Sequence, residues 1–401
     1  MDWWNIATSP NRQTRRKFHE KRNAHWELHK TTLASFIAGK AKLAAIRAKV
    51  RGYPSAQAAT LFKDNISEEV YDNLIAVVGE NLGSVHRYYG LRKRVLGLSD
   101  LREYDLDFPL AYLVSRKVTW EEGVNLLADA LRPLGDEYAS TLRSGLLGRW
   151  VDRCVNQGKC TYQFVVESYG KDPLILSPFE GKIEDIDGLA HESGHAMHTL
   201  YSDRSNTFRN RDYSHLEAEV ASAFHEELFF RHLMKIYDDD RDKRLFLLDM
   251  RISLLIRMLH SSVRYAEFDN TLQRLVEGGT PLTVDILSCE ARKLLTKYRG
   301  PEFILDDTCE LRELGYLYSI VSPFFMYAYA LGNCAAIALA DRVLNGGESE
   351  RNDYLTFLKS GGSRFPIDAL KIAGIDMGQP EPVQAACRVF ASLVDELESL
   401  L

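Results

Sequence analysis

Long apolar runs are missing from this sequence of 401 residues. No stretch approaches the roughly 18 consecutive apolar residues that a membrane-spanning helix needs. The N-terminal stretch, "MDWWNIATSPNRQTRR", also lacks the charged-then-apolar layout of a secretory signal. The sequence therefore predicts a protein without a membrane partner.

Cysteine is scarce and scattered, with six residues and no CxxC pair. A chain of this length with that pattern is typical of reduced thiols rather than of a disulfide framework, so we expect a cytoplasmic location. Excess positive charge is missing too, because the formal net charge is -6. Nucleic acid is therefore not expected as a partner, and the basic stretch "RQTRRKFHEKR" is interpreted as a solvated helix face.

Helical periodicity dominates what is present, and the sequence predicts a mainly α fold. One long helix is expected over residues 11–50, ended by the "GYPS" stretch that follows it. Ser67 is expected to cap a further helix, and Thr119 with Glu122 has the spacing of a capping box. Pro133 should interrupt the helix that Thr119 begins.

Residues 159–183 differ from the rest, because β-branched and aromatic residues alternate there with Gly and Pro. This composition predicts two or three short strands. We expect residues 1–150 to form a helical region. Residues 151–401 should hold the small sheet, the helices of a metal site over 185–235 and the C-terminal helices.

The segment "HESGHAMH", residues 191–198, contains three of the 11 histidines. His191 and His195 are four residues apart, so on a helix their imidazoles lie on one face and converge on a single zinc ion. Glu192 points toward one side of that ion, where it takes a proton from metal-bound water. His198 lies ~10.5 Å along the axis from His191, too far to share the ion, and is expected to support the site.

The missing ligand is expected from "HLEAEVASAFHEELF", residues 215–229, which also has a helical pattern. Glu219 and Glu226 are seven residues apart and share a face, and small residues surround Glu219. We expect Glu219 to bind the metal, and Glu226 or His225 to orient the ligands. Gly194 inside the metal helix costs about 1 kcal/mol relative to Ala, which indicates close packing by another element.

These segments resemble the oligoendopeptidase F branch of the thimet-oligopeptidase-like zinc metallopeptidases. "HESGHAMH" is similar to the family's H-E-x-G-H-x-x-H, and "EAEVASAFHEELF" to its E-V-A-S-T-x-N-E. "HRYYGLRKRVLGL", "GRWVD" and "FLKSGGSRFPIDALKIAGIDMGQPEPV" resemble its middle and C-terminal regions. The resemblance covers nearly the whole chain.

The resemblance implies one zinc ion per chain, held by His191, His195 and Glu219, with Glu192 as the general base. It implies a zincin-type helical fold and a hydrolase that cleaves short peptides in a deep channel. A strand beside the metal would pair with an extended peptide, and "PLILSPF" at 173–179 is the strand expected to do so.

The chain departs from the family's H-F-Y-x-x-F-Y-V-Y-x-Y-A-T-G segment, whose His and Tyr stabilise the oxyanion. The corresponding stretch is "SIVSPFFMYAYALG", with Ser319 at the family's His and with Val321 and Phe325 at tyrosines. The family's G-K-R-S-G-A-Y is likewise replaced by "GKCTYQF". Loss of one oxyanion donor costs about 10²–10³ in rate, so weakened or retuned activity is expected.

Tyr327 and Tyr329 remain as candidate oxyanion donors, and their spacing places them on different faces of a helix. One of the two is therefore expected to act, with Tyr329 preferred. Tyr316 and Tyr318 are the alternatives, and Tyr327 and Tyr329 are otherwise interpreted as core aromatics.

The chain begins where the family's middle region begins, so we expect the family's N-terminal lobe to be absent. Self-association, which would cover an exposed channel wall, stays open as a consequence. Two further functions also stay open: a zinc-bound but catalytically silent peptide-binding protein, and a related metallocarboxypeptidase.

Overall fold

The computed structural model describes residues 3–111, 117–160, 162–315 and 323–401. These residues form a mainly helical structure with one small sheet immediately before the metal-site helix, which confirms the predicted fold class. No helix in these four ranges is both long and apolar enough to cross a membrane.

The α-helices follow one another along the chain, and a π-helical turn at Ile256–Ser261 joins the tenth to the eleventh. Their bounds are α1 Trp3–Ala7, α2 Arg12–Val50, α3 Ala56–Leu61, α4 Glu68–Glu80, α5 Gly83–Val95, α6 Trp120–Ala130, α7 Asp136–Leu147, α8 Ile183–Ser205, α9 His215–Ile236, α10 Arg241–Leu255, α11 Ser262–Glu277, α12 Val284–Arg299, α13 Leu311–Leu314, α14 Tyr327–Asn345, α15 Glu348–Ser360, α16 Pro366–Ile372 and α17 Glu381–Leu400.

Two compact units share the described residues. The first contains the described residues within 1–112, 248–330 and 387–401, and the second those within 113–247 and 331–386. The expected division into a region before and a region after residue 150 stays a prediction.

Helix ends follow the local signals in the sequence. The Ser67 side chain accepts a hydrogen bond from the backbone N–H of Val70 at the start of α4. Thr119 and Glu122 form the predicted capping box, with the Glu122 N–H donating to Thr119 Oγ1 at 3.2 Å. Pro133 lies in a short 3₁₀ turn between α6 and α7, so the predicted interruption is confirmed.

The sheet has three strands, β1 at Val151–Asp152, β2 at Phe164–Val166 and β3 at Leu174–Leu176, in the order β1-β3-β2. β3 pairs with β1 in parallel and with β2 in antiparallel orientation. The expectation that the strand within 173–179 receives a peptide is therefore wrong, because both edges of β3 are already paired. β2 pairs on one side only within the described residues, which makes it the edge strand.

An ion-pair cluster around the largely buried Glu103 side chain lies within the first unit, and one of its two arginines, Arg312, is exposed. Both carboxylate oxygens of Glu103 accept hydrogen bonds from Arg299 Nη2 at 3.1 Å, and Arg312 contacts the same carboxylate. Burial alone would raise the pKa of Glu103, but the two guanidinium groups more than compensate and lower it to about 2.

Candidate metal centre

Helix α8 carries the two histidines of the motif on one face. The Nε2 atoms of His191 and His195 lie 3.2 Å apart. Tetrahedral coordination with zinc–nitrogen bonds of ~2.0–2.1 Å separates two nitrogen ligands by roughly 3.3 Å. The spacing of the two rings therefore fits a shared ion without rearrangement of the helix.

Helix α9 adds a carboxylate to the pair. Glu219 Oε2 lies 3.8 Å from His191 Nε2, and the side chain is buried. One ligand atom from each of His191, His195 and Glu219 lies within 4.8 Å of the others. The structure thus brings together the three residues that the sequence selected.

The close approach of α9 to α8 depends on Gly194. A Cβ atom at this position would lie 2.5 Å from the carbonyl oxygen of Ala221 and 2.5 Å from the Cα of Ser222. The α9 backbone therefore occupies the space that any other side chain would need. This contact is the packing that the glycine in the motif indicated.

A second glycine gives Glu219 its position, and the sequence analysis missed it. A Cβ atom at Gly332 in α14 would lie 2.9 Å from the Cβ of Glu219 and 3.1 Å from its carbonyl carbon. The final Gly of "MYAYALG" was the available signal, because a helix-interior glycine is unfavourable without a packing reason.

Glu226 supports the first histidine from the side opposite the ligand atoms. Its Oε1 lies 2.9 Å from His191 Nδ1. A carboxylate in this position fixes the imidazole tautomer with the proton on Nδ1 and leaves Nε2 free to bind a metal. Glu226 is thus placed where the sequence expected an orienting residue.

His225, the alternative orienting residue, lies in a separate buried network. His225 Nδ1 is 2.9 Å from Ser193 Oγ, and His225 Nε2 is 2.7 Å from the hydroxyl of Tyr138. Because Ser193 donates to the Ala190 carbonyl, His225 donates through Nδ1 and accepts at Nε2 from Tyr138. These hydrogen bonds join α7, α8 and α9 behind the metal site.

His198 packs away from the ligand atoms. Its ring stacks on Tyr213 with centroids 3.7 Å apart and contacts Phe357 at 5.4 Å. Both ring nitrogens are buried without a hydrogen-bond partner among the described residues. Burial lowers the pKa of His198 to about 3, so the ring is neutral.

The charges around the three ligand atoms fit a cation. Burial raises the pKa of Glu219 to about 7 and also raises the pKa of Glu192, which is 7% exposed. Burial alone would lower the pKa of His191, but Glu226 and Glu219 outweigh it and raise the value to about 10. Three acids, Glu192, Glu219 and Glu226, are buried around the His191 imidazole. A bound cation would stabilise their carboxylates, which burial deprives of water.

β2 runs alongside α8 past the two histidines. Gln163, just before β2, donates from Nε2 to the Asp185 carbonyl at 3.4 Å, and a Cβ at Gly188 would collide with the same side chain. Just after β2, Glu167 accepts a hydrogen bond from Thr199. These contacts lie before and after the histidine pair along α8, so the edge strand passes beside the candidate metal centre.

The model of peptidase family M3 matches residues 5–389 of this sequence. The chain belongs to peptidase family M3. M3 relatives include oligopeptidase PepF of Bacillus subtilis, which is 36% identical over 99% of this chain and 59% of its own length. The oligoendopeptidase F homologue of Borreliella burgdorferi is 32% identical over 96% of this chain and 64% of its own length.

Solved structures agree with the M3 assignment. A Chlamydophila abortus protein superimposes with a TM-score of 0.90 and 31% identity, over 100% of this chain and 67% of that one. Oligoendopeptidase F from Enterococcus faecium superimposes with a TM-score of 0.80 and 27% identity, over 99% of this chain and 65% of that one. The chain spans about three fifths to two thirds of the length of the curated relatives it matches.

The remaining tyrosines of the altered M3 segment belong to the first compact unit. Tyr327 is 6% exposed and packs on Tyr71, with ring centroids 5.3 Å apart, and burial raises its pKa. Tyr329 is half-buried, and its ring meets Phe325 edge-on at 5.7 Å. The positions expected to differ from the family at Ser319 and Val321, and the alternatives Tyr316 and Tyr318, lie outside the described residues.

Proposed function

We propose that this chain forms the catalytic region of a zinc-dependent endopeptidase that hydrolyses short peptides. The convergence of His191, His195 and Glu219, with a buried Glu192 beside them, carries this proposal. Two imidazoles and one carboxylate are a known donor set of hydrolytic zinc sites, which leave a position for water or substrate.

Two of the three ligands have separate supports. Glu226 holds the His191 ring, and the close crossing at Gly194 holds α9 at the distance that Glu219 requires. The three ligand residues would hold a zinc ion, which would supply Lewis-acid chemistry: polarisation of the scissile carbonyl and a water pKa lowered toward about 7.

Glu192 is the proposed general base. It directly follows His191 on α8, so its carboxylate points about 100° around the helix from that ligand. From this position it takes a proton from the attacking water and passes it to the leaving amine. Glutamine has nearly the same shape as glutamate but cannot accept the proton. Glu192→Gln should therefore remove proton transfer and leave metal binding intact.

β2 is the proposed docking edge for the peptide backbone. Its outer side has no strand partner within the described residues, and it passes the histidine pair of α8. An extended peptide pairs with such an edge through main-chain hydrogen bonds, which accept varied sequences.

Tyr329 is the proposed oxyanion donor, since Tyr327 is packed into the core of the first unit.

Mass spectrometry of a peptide mixture tests the reaction. We expect internal cuts with the wild type, loss of cleavage with a chelator and loss of cleavage in Glu192→Gln with unchanged zinc content. Equal cleavage by Glu192→Gln would exclude the assigned base. Removal of C-terminal residues only would indicate a carboxypeptidase, and peptide binding without any cut would indicate a silent binding protein.

Zinc content tests the ligand set. Glu219→Ala should remove most of the zinc, because a carboxylate ligand is lost, whereas His198→Ala should retain it, because the His198 ring stacks on Tyr213 away from the ligand atoms. Elemental analysis of both purified variants gives the answer. Greater zinc loss in His198→Ala than in Glu219→Ala would contradict the proposed site.

A further inference from the structure

The solvent-facing side of the small sheet is apolar along β2 and β3, whereas on β1 it carries Asp152, which is paired with Lys159. Phe164 and Val166 on β2 are 37% and 50% exposed, and Leu174 on β3 is 48% exposed. Tyr162, two residues before Phe164, is 71% exposed and its ring lies 6.1 Å from that of Phe164. We call Tyr162, Phe164, Val166 and Leu174 the apolar sheet face.

Strand alternation shows that this face is separate from the core. Val165 lies between Phe164 and Val166 and pairs with Ile175, which is fully buried. Val166 pairs with Leu174 on the exposed side. The buried side of the sheet is thus already packed, and the exposed residues form a contiguous patch of the kind that marks a binding surface.

The apolar sheet face adjoins the open edge that passes the metal centre. Phe164 and Val166 themselves belong to β2, whose outer side is unpaired within the described residues. When an extended peptide adds to this edge, every second side chain of the peptide lies on the same face as Phe164 and Val166. Opposed residues on neighbouring strands have Cβ atoms about 4.5–5.5 Å apart, which is direct contact for large side chains.

We propose that the apolar sheet face selects substrates: this chain binds peptides with large apolar side chains at two positions two residues apart. One such side chain packs opposite Phe164 and the next opposite Val166. Neither strand residue is charged, so an acidic or basic peptide side chain gains no partner there and loses hydration. The inference rests on the proposed function, because it takes the bound peptide to be the substrate.

Peptide binding to Glu192→Gln tests this selection without any need for turnover. The probes are fluorescein-labelled nonapeptides of Gly and Ser. One series contains a single Phe and a second contains two Phe residues at positions i and i+2, and in each series the Phe position is moved along the peptide. Anisotropy should show about tenfold tighter binding when the two Phe residues occupy the matching positions, a ratio equivalent to about 1.4 kcal/mol. Phe164→Ser should abolish the preference for Phe at the peptide position opposite residue 164. Val166→Ser should abolish it at the position opposite residue 166.

Ile236→Ser is the matched control, because Ile236 is 46% exposed at the far end of α9, roughly 26 Å from Glu219 along the helix. It should leave the preference unchanged. Equal affinity for all probes, no binding, or a preference that survives both strand substitutions would overturn the inference. Selective binding without cleavage by the wild type would instead contradict hydrolysis and leave the selection intact.

Discussion

Replacing Gly194 with alanine places a methyl group where the backbone of α9 already lies. The new Cβ would be 2.5 Å from the Ala221 carbonyl oxygen and 2.5 Å from the Ser222 Cα, whereas ordinary contacts begin at 3.4 Å. Neither atom belongs to a side chain that can rotate away. The two helices must therefore separate by close to 1 Å, about the difference between these distances.

Two opposing terms set the stability change. Overpacking of this kind costs typically about 1–3 kcal/mol. Alanine is a better helix former than glycine and returns about 1 kcal/mol. We expect a net loss of about 0–2 kcal/mol in the free energy of unfolding.

The effect on zinc should be larger than the effect on stability. Glu219 and Glu226 both lie on α9, and both face His191 of α8. A metal site tolerates distance changes of only about 0.2 Å, so a shift close to 1 Å misplaces the carboxylate. We expect zinc affinity to fall about 10- to 100-fold, the range found when ligand supports are removed.

Gly39→Ala is the matched control for this experiment. Gly39 lies in the middle of α2, and a Cβ there meets nothing within 4 Å. It should raise stability by about 0.5–1 kcal/mol and leave zinc unchanged. Urea unfolding and competition with a chelator measure the two quantities. The reasoning is refuted if Gly194→Ala behaves like Gly39→Ala in both assays.

Three further predictions concern other parts of the structure. Tyr138→Phe leaves the buried Nε2 of His225 without its donor and should cost about 1–3 kcal/mol in urea unfolding; an unchanged midpoint would contradict the network. Glu103 has a folded pKa of about 2, below the ordinary value near 4.5, so its contribution of about 3 kcal/mol is present above pH ~4.5 and declines as the pH falls toward 2. Glu103→Gln should therefore flatten the stability profile between about pH 5 and 2, and an unaltered profile would argue against the ion pair. Tyr329→Phe should lower kcat about 10²-fold or more with little change in KM, whereas Tyr327→Phe should not; the opposite order in steady-state assays would reassign the oxyanion donor.

Local signals explain why so much of the helical frame was predictable. The caps at Ser67 and Thr119 and the break at Pro133 depend on backbone groups within a few residues, so the sequence contains the whole interaction. The spacing of His191 and His195 belongs to the same class, because a helix places residues four apart on one face whatever surrounds it.

Contacts between distant segments were less accessible. The strand within 173–179, β3, has the apolar composition of a peptide-binding edge. However, β1 pairs with one side of β3 and β2 with the other, so β3 is the central strand and β2 is an edge strand. Composition does not record which strand lies in the middle of a sheet, since central and edge strands differ in their partners more than in their residues.

The sequence alone thus determined the fold class, which follows from helical periodicity along most of the chain. It also determined the histidine pair, the position of Glu192 beside it and the shared face of Glu219 and Glu226, which follow from the period of the α-helix. The tertiary structure decided how closely α9 approaches α8 at Gly194, and how closely α14 approaches Glu219 of α9 at Gly332. It also decided that His225 bonds to Ser193 and Tyr138. These outcomes depend on how backbones far apart in sequence fit together, and steric fit between surfaces has no periodicity that a sequence displays.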